Sequence, residues 1–451
     1  MGVSNPLDTP STTARSWLVA AVVLSSLSLL INPARAITTT VPSPVPLVSD
    51  TPGELTSDPP TVPPQAPPTA APLQSGFTPT EVAEREVPGP TTQAPTISAA
   101  GAVLFDPADG VILTGLQPQT PLPMASTTKI MTVLLALEAV EEGIVAPQLT
   151  VSATAAAVGQ QPGVATLGLT QGEVVQVRDV LAAELLRSGN DGAVAIAEHV
   201  AGSEATYVAQ MNQRAVTLGL EQTQFLDSSG LSNDPAHHAT PLDLALLGYE
   251  AMTHPDFATW AASATLTIPE FGTLENRNEM LQAYPGTTGI KTGFTNLAGQ
   301  CLVASVERDG RTLYAVVLGS EDRVSDTTAL FDHGFANFAR PQLLAAGDVS
   351  GSYRTALGSV PMSVAEELTR TIGVGAEVQM QTRLAPDVGL PFAEGTPLGE
   401  AVMLVDGEEV DRTPLLADQG LSAQGDSAPA ALADALRAFS RLADRQALVS
   451  L

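Results

Sequence analysis

The chain contains little cysteine, few aromatic residues and few charged residues for its length. Its 451 residues include one cysteine, so no disulfide can form within the chain. Aromatic residues make up 4%, charged residues 15% and apolar residues 44%, which excludes a chain that is mostly disordered or fibrous. Twenty basic residues stand against 48 acidic ones, and the net charge of −28 argues against nucleic acid as a partner. Cys301 lies in an alternating apolar segment, which predicts a small buried strand residue rather than a nucleophile.

Long apolar segments are also scarce, and the sequence has one near its beginning. Residues 17–31 form an apolar run behind Arg15, and the small residues Ala34 and Ala36 follow at the positions of a cleavage site. At about 1.5 Å per residue, this run is shorter than the ~30 Å hydrocarbon core of a bilayer. Residues 1–36 are therefore predicted to be a secretory signal cleaved after Ala36, with an uncleaved anchor as the alternative.

Lysine is almost absent. Lys129 and Lys291 are the two lysines of the chain, and the other basic residues are arginines. Arginine stays charged at any working pH, whereas a buried lysine can lose its proton and act as a base. The two lysines are therefore candidates for catalysis, although arginine-rich codon usage would also leave a few lysines behind.

The remaining chain divides by composition. Residues 37–95 are rich in Pro, Thr, Ser and Ala, which predicts a disordered, extended spacer. Helical and strand patterns are mixed over residues 96–340, and short strands separated by turns predict a small β-rich domain at 345–416. The fold class predicted from these patterns is α+β. An amphipathic helix is predicted at 430–451.

Several elements are predicted within the larger domain. They are a strand, turn and strand over 102–113, helices over 126–138, 179–187 and 191–200, and paired strands over 294–306 and 312–319.

Three short motifs carry side chains suited to nucleophilic catalysis. Ser126 and Lys129 are three residues apart, which places the hydroxyl and the amine on one helix face. Ser188 and Asn190 lie at a predicted corner between two helices, and residues 291–293 read Lys-Thr-Gly at the start of a predicted strand. Each motif alone is weak, since a solvated helix face, a capped turn or a solvated strand end would explain it. Together, in this order and with both lysines inside them, they are the signature of serine enzymes that act on D-Ala-D-Ala peptides or β-lactams.

From about residue 97 to 416 the chain resembles the low-molecular-mass penicillin-binding proteins, the serine-type D-alanyl-D-alanine carboxypeptidases of the S11 peptidase family. The phrases Leu218-Gly219-Leu220 and Asn276-Arg277-Asn278 are similar to those of the family as well. The resemblance implies a β-lactamase/transpeptidase-like catalytic domain, an antiparallel sheet with helices, followed by the small β domain.

The resemblance also implies a role for each motif residue. Ser126 would attack the carbonyl between two D-alanines, and Lys129 would take its proton. Ser188 and Asn190 would relay a proton to the leaving amine and hold the substrate amide. The residues implied to bind substrate are Lys291, Thr292, Gly293, Phe294 and Arg323, with Thr292 and Arg323 on the terminal carboxylate and the N–H groups of Ser126 and Phe294 forming the oxyanion hole.

Other functions stay open at this point. A D,D-endopeptidase has the same motifs, a β-lactamase is disfavoured because the second motif reads Ser-Gly-Asn, and a cell-wall binding module would not need the serine and lysines. The five histidines lack the spacing of a metal site, so no metal and no other cofactor is expected. His237 and His238 are explained as polar residues of a loop.

The expected partners are peptidoglycan stem peptides, with β-lactams as inhibitors. The predicted localisation is extracytoplasmic, in the periplasm or cell envelope. The stripe formed by Arg437, Arg441 and Arg445 on the last helix suggests contact with the surface of the cytoplasmic membrane. This helix is weakly hydrophobic, and packing on the β domain and a loose tail are the alternatives.

Overall fold

The computed structural model describes residues 76–386 and 388–422. The predicted signal at 1–36, the spacer up to residue 75 and the final helix at 430–451 lie outside these residues. Within the described ranges, no helix combines the length and the apolar character needed to cross a bilayer.

The three helices predicted over 126–138, 179–187 and 191–200 are found within three residues of their expected bounds. Within residues 76–386 and 388–422 the helices number ten. They are α1 (Pro79–Glu84), α2 (Lys129–Glu141), α3 (Ala153–Gly159), α4 (Val177–Arg187), α5 (Asn190–Ala201), α6 (Glu204–Thr217), α7 (Pro241–Met252), α8 (Pro255–Ala262), α9 (Met280–Ala283) and α10 (Arg323–Asn337). A 3-10 turn, Ala125–Thr128, directly precedes α2.

The described strands form two larger sheets and several short pairs. They are β1 (Gly101–Asp106), β2 (Val111–Leu116), β3 (Leu122–Pro123), β4 (Gln148–Thr150), β5 (Val174–Gln176), β6 (His238–Ala239), β7 (Thr265–Ile268), β8 (Gly272–Glu275), β9 (Thr287–Thr295), β10 (Gly299–Arg308), β11 (Arg311–Ser320), β12 (Phe338–Ala339), β13 (Gln342–Leu344), β14 (Val349–Thr355), β15 (Gly358–Val364), β16 (Leu368–Thr369), β17 (Ile372–Gly373), β18 (Val378–Leu384), β19 (Pro397–Val405) and β20 (Glu408–Ala417).

The first large sheet is antiparallel and has the order β2-β1-β11-β10-β9. Its side chains alternate between two apolar layers, as the period of a strand requires. Val103 and Val303 face the core shared with α2 and α7, whereas Leu104 and Leu302 face the core shared with α10. The sheet is therefore covered by helices on both faces, and this layered α+β arrangement confirms the predicted fold class.

A segment predicted as one strand is divided between two strands in the structure. Residues 294–306 were expected to be continuous, but β9 ends at Thr295 and β10 begins at Gly299. The hydroxyl of Thr295 accepts a hydrogen bond from the N–H of Ala298 at 3.0 Å, and Gly299 has a φ of 66°. This tight turn reverses the chain, so the two halves pair with each other rather than forming one strand.

The second large sheet follows the catalytic region and has the order β14-β15-β20-β19-β18. Val360, Leu398 and Leu415 contribute to its own apolar core. The predicted β-rich region at 345–416 corresponds to these strands, whose last residue is Ala417. The boundary between the two regions stays a prediction.

Part of the predicted spacer is folded. Residues 76–95 were expected to be disordered, yet α1 lies there, with Thr78 and Glu81 forming a reciprocal capping box. Val82 is fully buried in the core to which α7 also contributes, and the N–H of Gly373 donates to the carbonyl of Pro88 at 2.8 Å. Buried area and a capped helix outweigh the proline-rich composition, so the predicted limit at residue 95 is wrong.

Candidate active site

Ser126 lies on the 3-10 turn that leads into α2, and its side chain is partly exposed. The hydroxyls of Thr127 and Thr128 donate to the carbonyls of Met124 and Ala125 at 2.7 and 2.8 Å. Ala125 has a φ of 48°, a left-handed conformation that costs energy for a residue with a Cβ atom. The turn therefore holds an accessible hydroxyl at the amino end of a buried helix, where the helix dipole favours developing negative charge.

Lys129 points from the first residue of α2 towards this hydroxyl. Its Nζ atom donates to Ser126 Oγ at 3.3 Å and to Asn190 Oδ1 at 2.8 Å. It also donates to the carbonyl of Ser229 at 2.5 Å. A neutral amine has two N–H donors and one lone pair. If the two shorter bonds occupy the donors of neutral Lys129, its lone pair faces Ser126.

Both lysines are buried and both have lowered pKa values. Burial lowers the pKa of Lys129 to about 8, against the carboxylates of Glu184, Asp227 and Asp191, which raise it, while Arg277 lowers it further. Burial also lowers the pKa of Lys291, with the charge of Lys129 as the next cause. A pKa near 8 leaves roughly a tenth of the Lys129 side chains neutral at pH 7. Burial is the largest cause at both lysines, in agreement with the expectation that a buried lysine can lose its proton.

The second motif forms the corner between α4 and α5. Ser188 caps α4 in the left-handed region, with φ 64° and ψ 36°, and α5 begins at Asn190. The amide of Asn190 donates to the carbonyl of Ala165 at 2.8 Å, which turns its oxygen towards Lys129. Asp191 accepts the N–H groups of residues 167–169 and fixes the neighbouring loop. The corner thus brings the first two motifs together, as the sequence predicted.

The third motif lies within β9, an edge of the described sheet, rather than at the start of the strand. Lys291 is 1% exposed, and its Nζ donates to the carbonyl of Thr292 at 3.1 Å. A Cβ atom added to Gly293 would lie 3.0 Å from the N–H nitrogen of Ser126, so glycine allows the strand to approach the serine turn. Phe294 is exposed. The strand therefore packs directly against the serine turn.

Arg323 is the first residue of α10 and reaches β9. Its guanidinium donates to the carbonyl of Gly293 at 3.4 Å and to the carboxylate of Glu279 at 2.6 Å. The side chain of Glu279 is half exposed. Arg323 therefore lies beside the third motif, as the family resemblance implied, and it holds the carboxylate of Glu279.

The sequence analysis did not identify Glu184. This residue of α4 is fully buried, and neither carboxylate oxygen has a hydrogen-bond partner among the described residues. Burial raises its pKa to about 8, whereas the charges of Lys129 and Lys291 lower it. An acidic residue within an apolar helix four positions before Ser188 was the available signal.

A loop over residues 227–232 forms the back of the site and was also missed. Asp227 accepts the N–H groups of Ser229, Gly230 and Ser232, and Ser229 in turn offers its carbonyl to Lys129. The serine–glycine sequence after an aspartate indicated a turn, but nothing in it indicated contact with the lysine.

His237 contradicts its interpretation as a polar loop residue. It is 2% exposed, and its Nε2 lies 2.7 Å from Thr128 Oγ1, beside the serine turn. His238, in contrast, contacts the carbonyl of Pro235 near the surface. Across the described residues, no group of three or more His, Cys, Asp or Glu side chains is arranged to hold a metal ion.

Cys301 is fully buried in β10, as predicted. Burial raises the pKa of its thiol to about 11, so the thiol stays protonated and unreactive.

Comparison with known proteins agrees with the geometry. The family model for peptidase S11, described as D-alanyl-D-alanine carboxypeptidase, matches residues 89–322, more than half of the chain. The D-alanyl-D-alanine carboxypeptidase DacF of Bacillus subtilis is 28% identical to this chain, over 77% of this chain and 92% of the DacF sequence. DacA of Haemophilus influenzae is 30% identical over 70% of this chain and 83% of its own.

Solved structures give the same result. The chain is similar to penicillin binding protein 5 of Haemophilus influenzae, with a TM-score of 0.61 and 29% identity over 74% of this chain and all of that one. It is also similar to penicillin-binding protein D2 of Listeria monocytogenes in its cefotaxime-bound form, with a TM-score of 0.50 and 31% identity over 54% of this chain and all of that one. The chain belongs to the peptidase S11 family of D-alanyl-D-alanine carboxypeptidases.

Proposed function

We propose that the chain removes the terminal D-Ala from peptidoglycan stem pentapeptides through an acyl-enzyme on Ser126, and that penicillins acylate the same residue. The observation that carries this function is the convergence of the three motifs on one partly exposed serine hydroxyl. The relatives named as carboxypeptidases and the similar structure with bound cefotaxime support the substrate and the inhibitor class.

Lys129 is the general base of this proposal. Ser126 Oγ attacks the carbonyl of the penultimate D-Ala while its proton passes to Nζ of Lys129. The lowered pKa of Lys129 and its bonds to Asn190 and Ser229 support this role, because they leave the lone pair of the neutral amine towards Ser126. The resulting tetrahedral oxygen accepts hydrogen bonds from the N–H groups of Ser126 and Phe294.

Ser188 and Asn190 act on the leaving group and the substrate. As the C–N bond breaks, the proton held by Lys129 passes through the hydroxyl of Ser188 to the nitrogen of the departing D-Ala. Asn190, whose own amide is fixed by the carbonyl of Ala165, holds the substrate amide. Water then attacks the ester carbonyl, and Ser126 regains its proton.

The terminal carboxylate of the substrate is held by Thr292 and Arg323, and Lys291 adds positive charge behind them. Arg323 is already paired with the carboxylate of Glu279. This pair supports the role, because a guanidinium that holds one carboxylate beside β9 can bind another there through parallel N–H bonds.

The surroundings of the enzyme follow from the family. The protein acts on the cell wall and is extracytoplasmic. Within this setting, residues 1–36 serve as the export signal, the spacer separates that signal from the catalytic region, and the helix predicted at 430–451 contacts the surface of the cytoplasmic membrane through its arginine stripe.

Release of D-Ala from a synthetic peptide ending in Lys-D-Ala-D-Ala tests the proposed activity. The full chain is expected to release one equivalent of D-Ala and to stop at the shortened peptide. Ser126→Ala should remove this activity while leaving the thermal unfolding midpoint unchanged. Activity retained by Ser126→Ala would show that another residue is the nucleophile.

A further inference from the structure

His237 is buried behind the serine turn and makes two hydrogen bonds that fix its protonation. The N–H of Leu226 donates to Nδ1 at 3.0 Å, so this nitrogen carries a lone pair. A neutral imidazole with an unprotonated Nδ1 has its proton on Nε2. The Nε2–H group therefore donates to Thr128 Oγ1 across the 2.7 Å contact.

Thr128 passes this interaction on to the backbone of the serine turn. Its hydroxyl accepts from His237 and donates its own proton to the carbonyl of Ala125 at 2.8 Å. Ala125 is the residue with the left-handed φ of 48°, and its carbonyl belongs to the peptide that bears the N–H of Ser126. A continuous chain of hydrogen bonds therefore joins Leu226, His237, Thr128 and the peptide before the nucleophile.

The same peptide is also packed closely against Gly230. A Cβ atom added there would lie 2.0 Å from the carbonyl oxygen of Ala125 and 2.9 Å from the nitrogen of Ser126. The Ala125–Ser126 peptide thus has little freedom to rotate. Its orientation matters for catalysis because the N–H of Ser126 is one of the proposed oxyanion donors.

We propose that His237 is a positioning residue for acylation, which acts through the hydroxyl of Thr128 to hold the Ala125–Ser126 peptide in the orientation that the oxyanion site needs. This inference rests on the proposed role of Ser126. Hydrogen-bond donors that are fixed before the reaction contribute more to transition-state stabilisation than donors that must rotate into place.

Burial is the main reason that His237 stays in the neutral form that this arrangement requires. Burial lowers its pKa, and the charges of His238 on β6 and Lys129 on α2 lower it further, while the carboxylate of Asp227 raises it. The ring of Phe225 packs edge-on against the imidazole. Protonation in acid would place a proton on Nδ1 against the N–H of Leu226 and break that end of the chain.

Two substitutions distinguish the hydrogen bonds that the two nitrogen atoms of His237 make. In His237→Gln the amide nitrogen occupies the position of Nε2 and can donate to Thr128, whereas in His237→Asn the amide oxygen occupies the position of Nδ1 and can accept from Leu226. The rate constant for acylation by a fluorescent penicillin should stay within about threefold of the unmodified protein in His237→Gln and fall by about tenfold or more in His237→Asn. His238→Gln, at the neighbouring surface histidine, is the matched control and should leave the rate unchanged.

The pH dependence of the acylation rate distinguishes a positioning role of His237 from a purely structural one, which would not change that dependence. In the unmodified protein, the acylation rate should fall more steeply with pH below the pKa of His237, because Lys129 and His237 are then both protonated. In His237→Gln this additional fall in the acylation rate at low pH should disappear.

Thr128→Val removes the hydroxyl with little change in the shape of the side chain. It tests the same chain of hydrogen bonds if His237→Asn does not fold. Acylation should fall by about tenfold in Thr128→Val. An unchanged rate in this variant, equal rates in the two His237 variants, or losses that follow their thermal midpoints would overturn the positioning role. If the unmodified protein is not acylated at all, the proposed function itself fails, and the two failures are therefore distinguishable.

Discussion

The Nζ atom of Lys129 lies 2.8 Å from the Oδ1 atom of Asn190, so the first two motifs meet through a hydrogen bond across 61 residues of sequence. Asn190 is itself held by the carbonyl of Ala165. This hydrogen bond fixes the lysine at the amino end of α2, while the serine hydroxyl stays partly exposed to solvent. The position of Lys129 and its ability to lose a proton therefore both depend on its burial beside Asn190.

Replacing Glu184 by glutamine should change the pH at which acylation begins. Lys129 must be neutral to accept a proton, so the rate rises with pH through its pKa of about 8. The charge of Glu184 raises that pKa, and the two groups titrate together. Glu184→Gln removes the charge, so the acidic limb of the acylation profile should move to lower pH. Glu142→Gln, at an exposed position, is the control, and a limb that stays in place or moves to higher pH would contradict this coupling.

Gly230→Ala should slow acylation because the new Cβ atom would press on the carbonyl of Ala125 beside the nucleophile. The expected loss in acylation rate is about tenfold or more, since backbone displacement near reacting atoms is costly. Gly202→Ala tests the backbone effect alone, because Gly202 has a similar φ of 76° and no atom within 4 Å of the added Cβ. A similar loss in both variants would mean that left-handed strain, rather than contact with the serine turn, is responsible.

Lys291→Arg should lose most of the carboxypeptidase activity although the charge is kept. Lys291 is 1% exposed, and the larger guanidinium does not fit this buried site without displacing β9. We expect kcat/KM for D-Ala release to fall by about a hundredfold. Rates close to those of the unmodified protein would show that positive charge alone is sufficient at this position.

Arg323→Gln should weaken the binding of substrates that end in a free carboxylate. The KM for a peptide ending in D-Ala-D-Ala is expected to rise by about tenfold, the effect of losing a charge-assisted hydrogen bond. The KM for the same peptide with an amidated C-terminus should change little. An equal change for both peptides would assign Arg323 to the structure of β9 and not to the carboxylate.

The motif residues could be predicted because their chemistry is local in sequence. Ser126 and Lys129 share one helical turn, and Ser188 and Asn190 flank one helix corner, so spacing alone brings each pair together. The apolar runs of β1 and β2 and the turn residues between them likewise predicted the hairpin. Cys301 was correctly placed in a buried strand for the same reason.

The residues that the sequence did not reveal act through long-range packing. Glu184 becomes a charged neighbour of both lysines only after α2, α4 and β9 are packed together. His237 reaches Thr128 from 109 positions away, and nothing in its own loop indicates that contact. The fold of residues 76–95 was missed because Val82 is stabilised by the core that it enters, not by its own helical propensity.

The most direct test of the central claim is the intact mass of the full chain before and after incubation with a fluorescent penicillin. We expect one adduct that maps to Ser126, decays slowly and is absent from Ser126→Ala. An adduct on another residue, or folded protein that gains no mass, would contradict the assignment of Ser126 as the nucleophile. Rapid turnover to hydrolysed drug would indicate a β-lactamase instead.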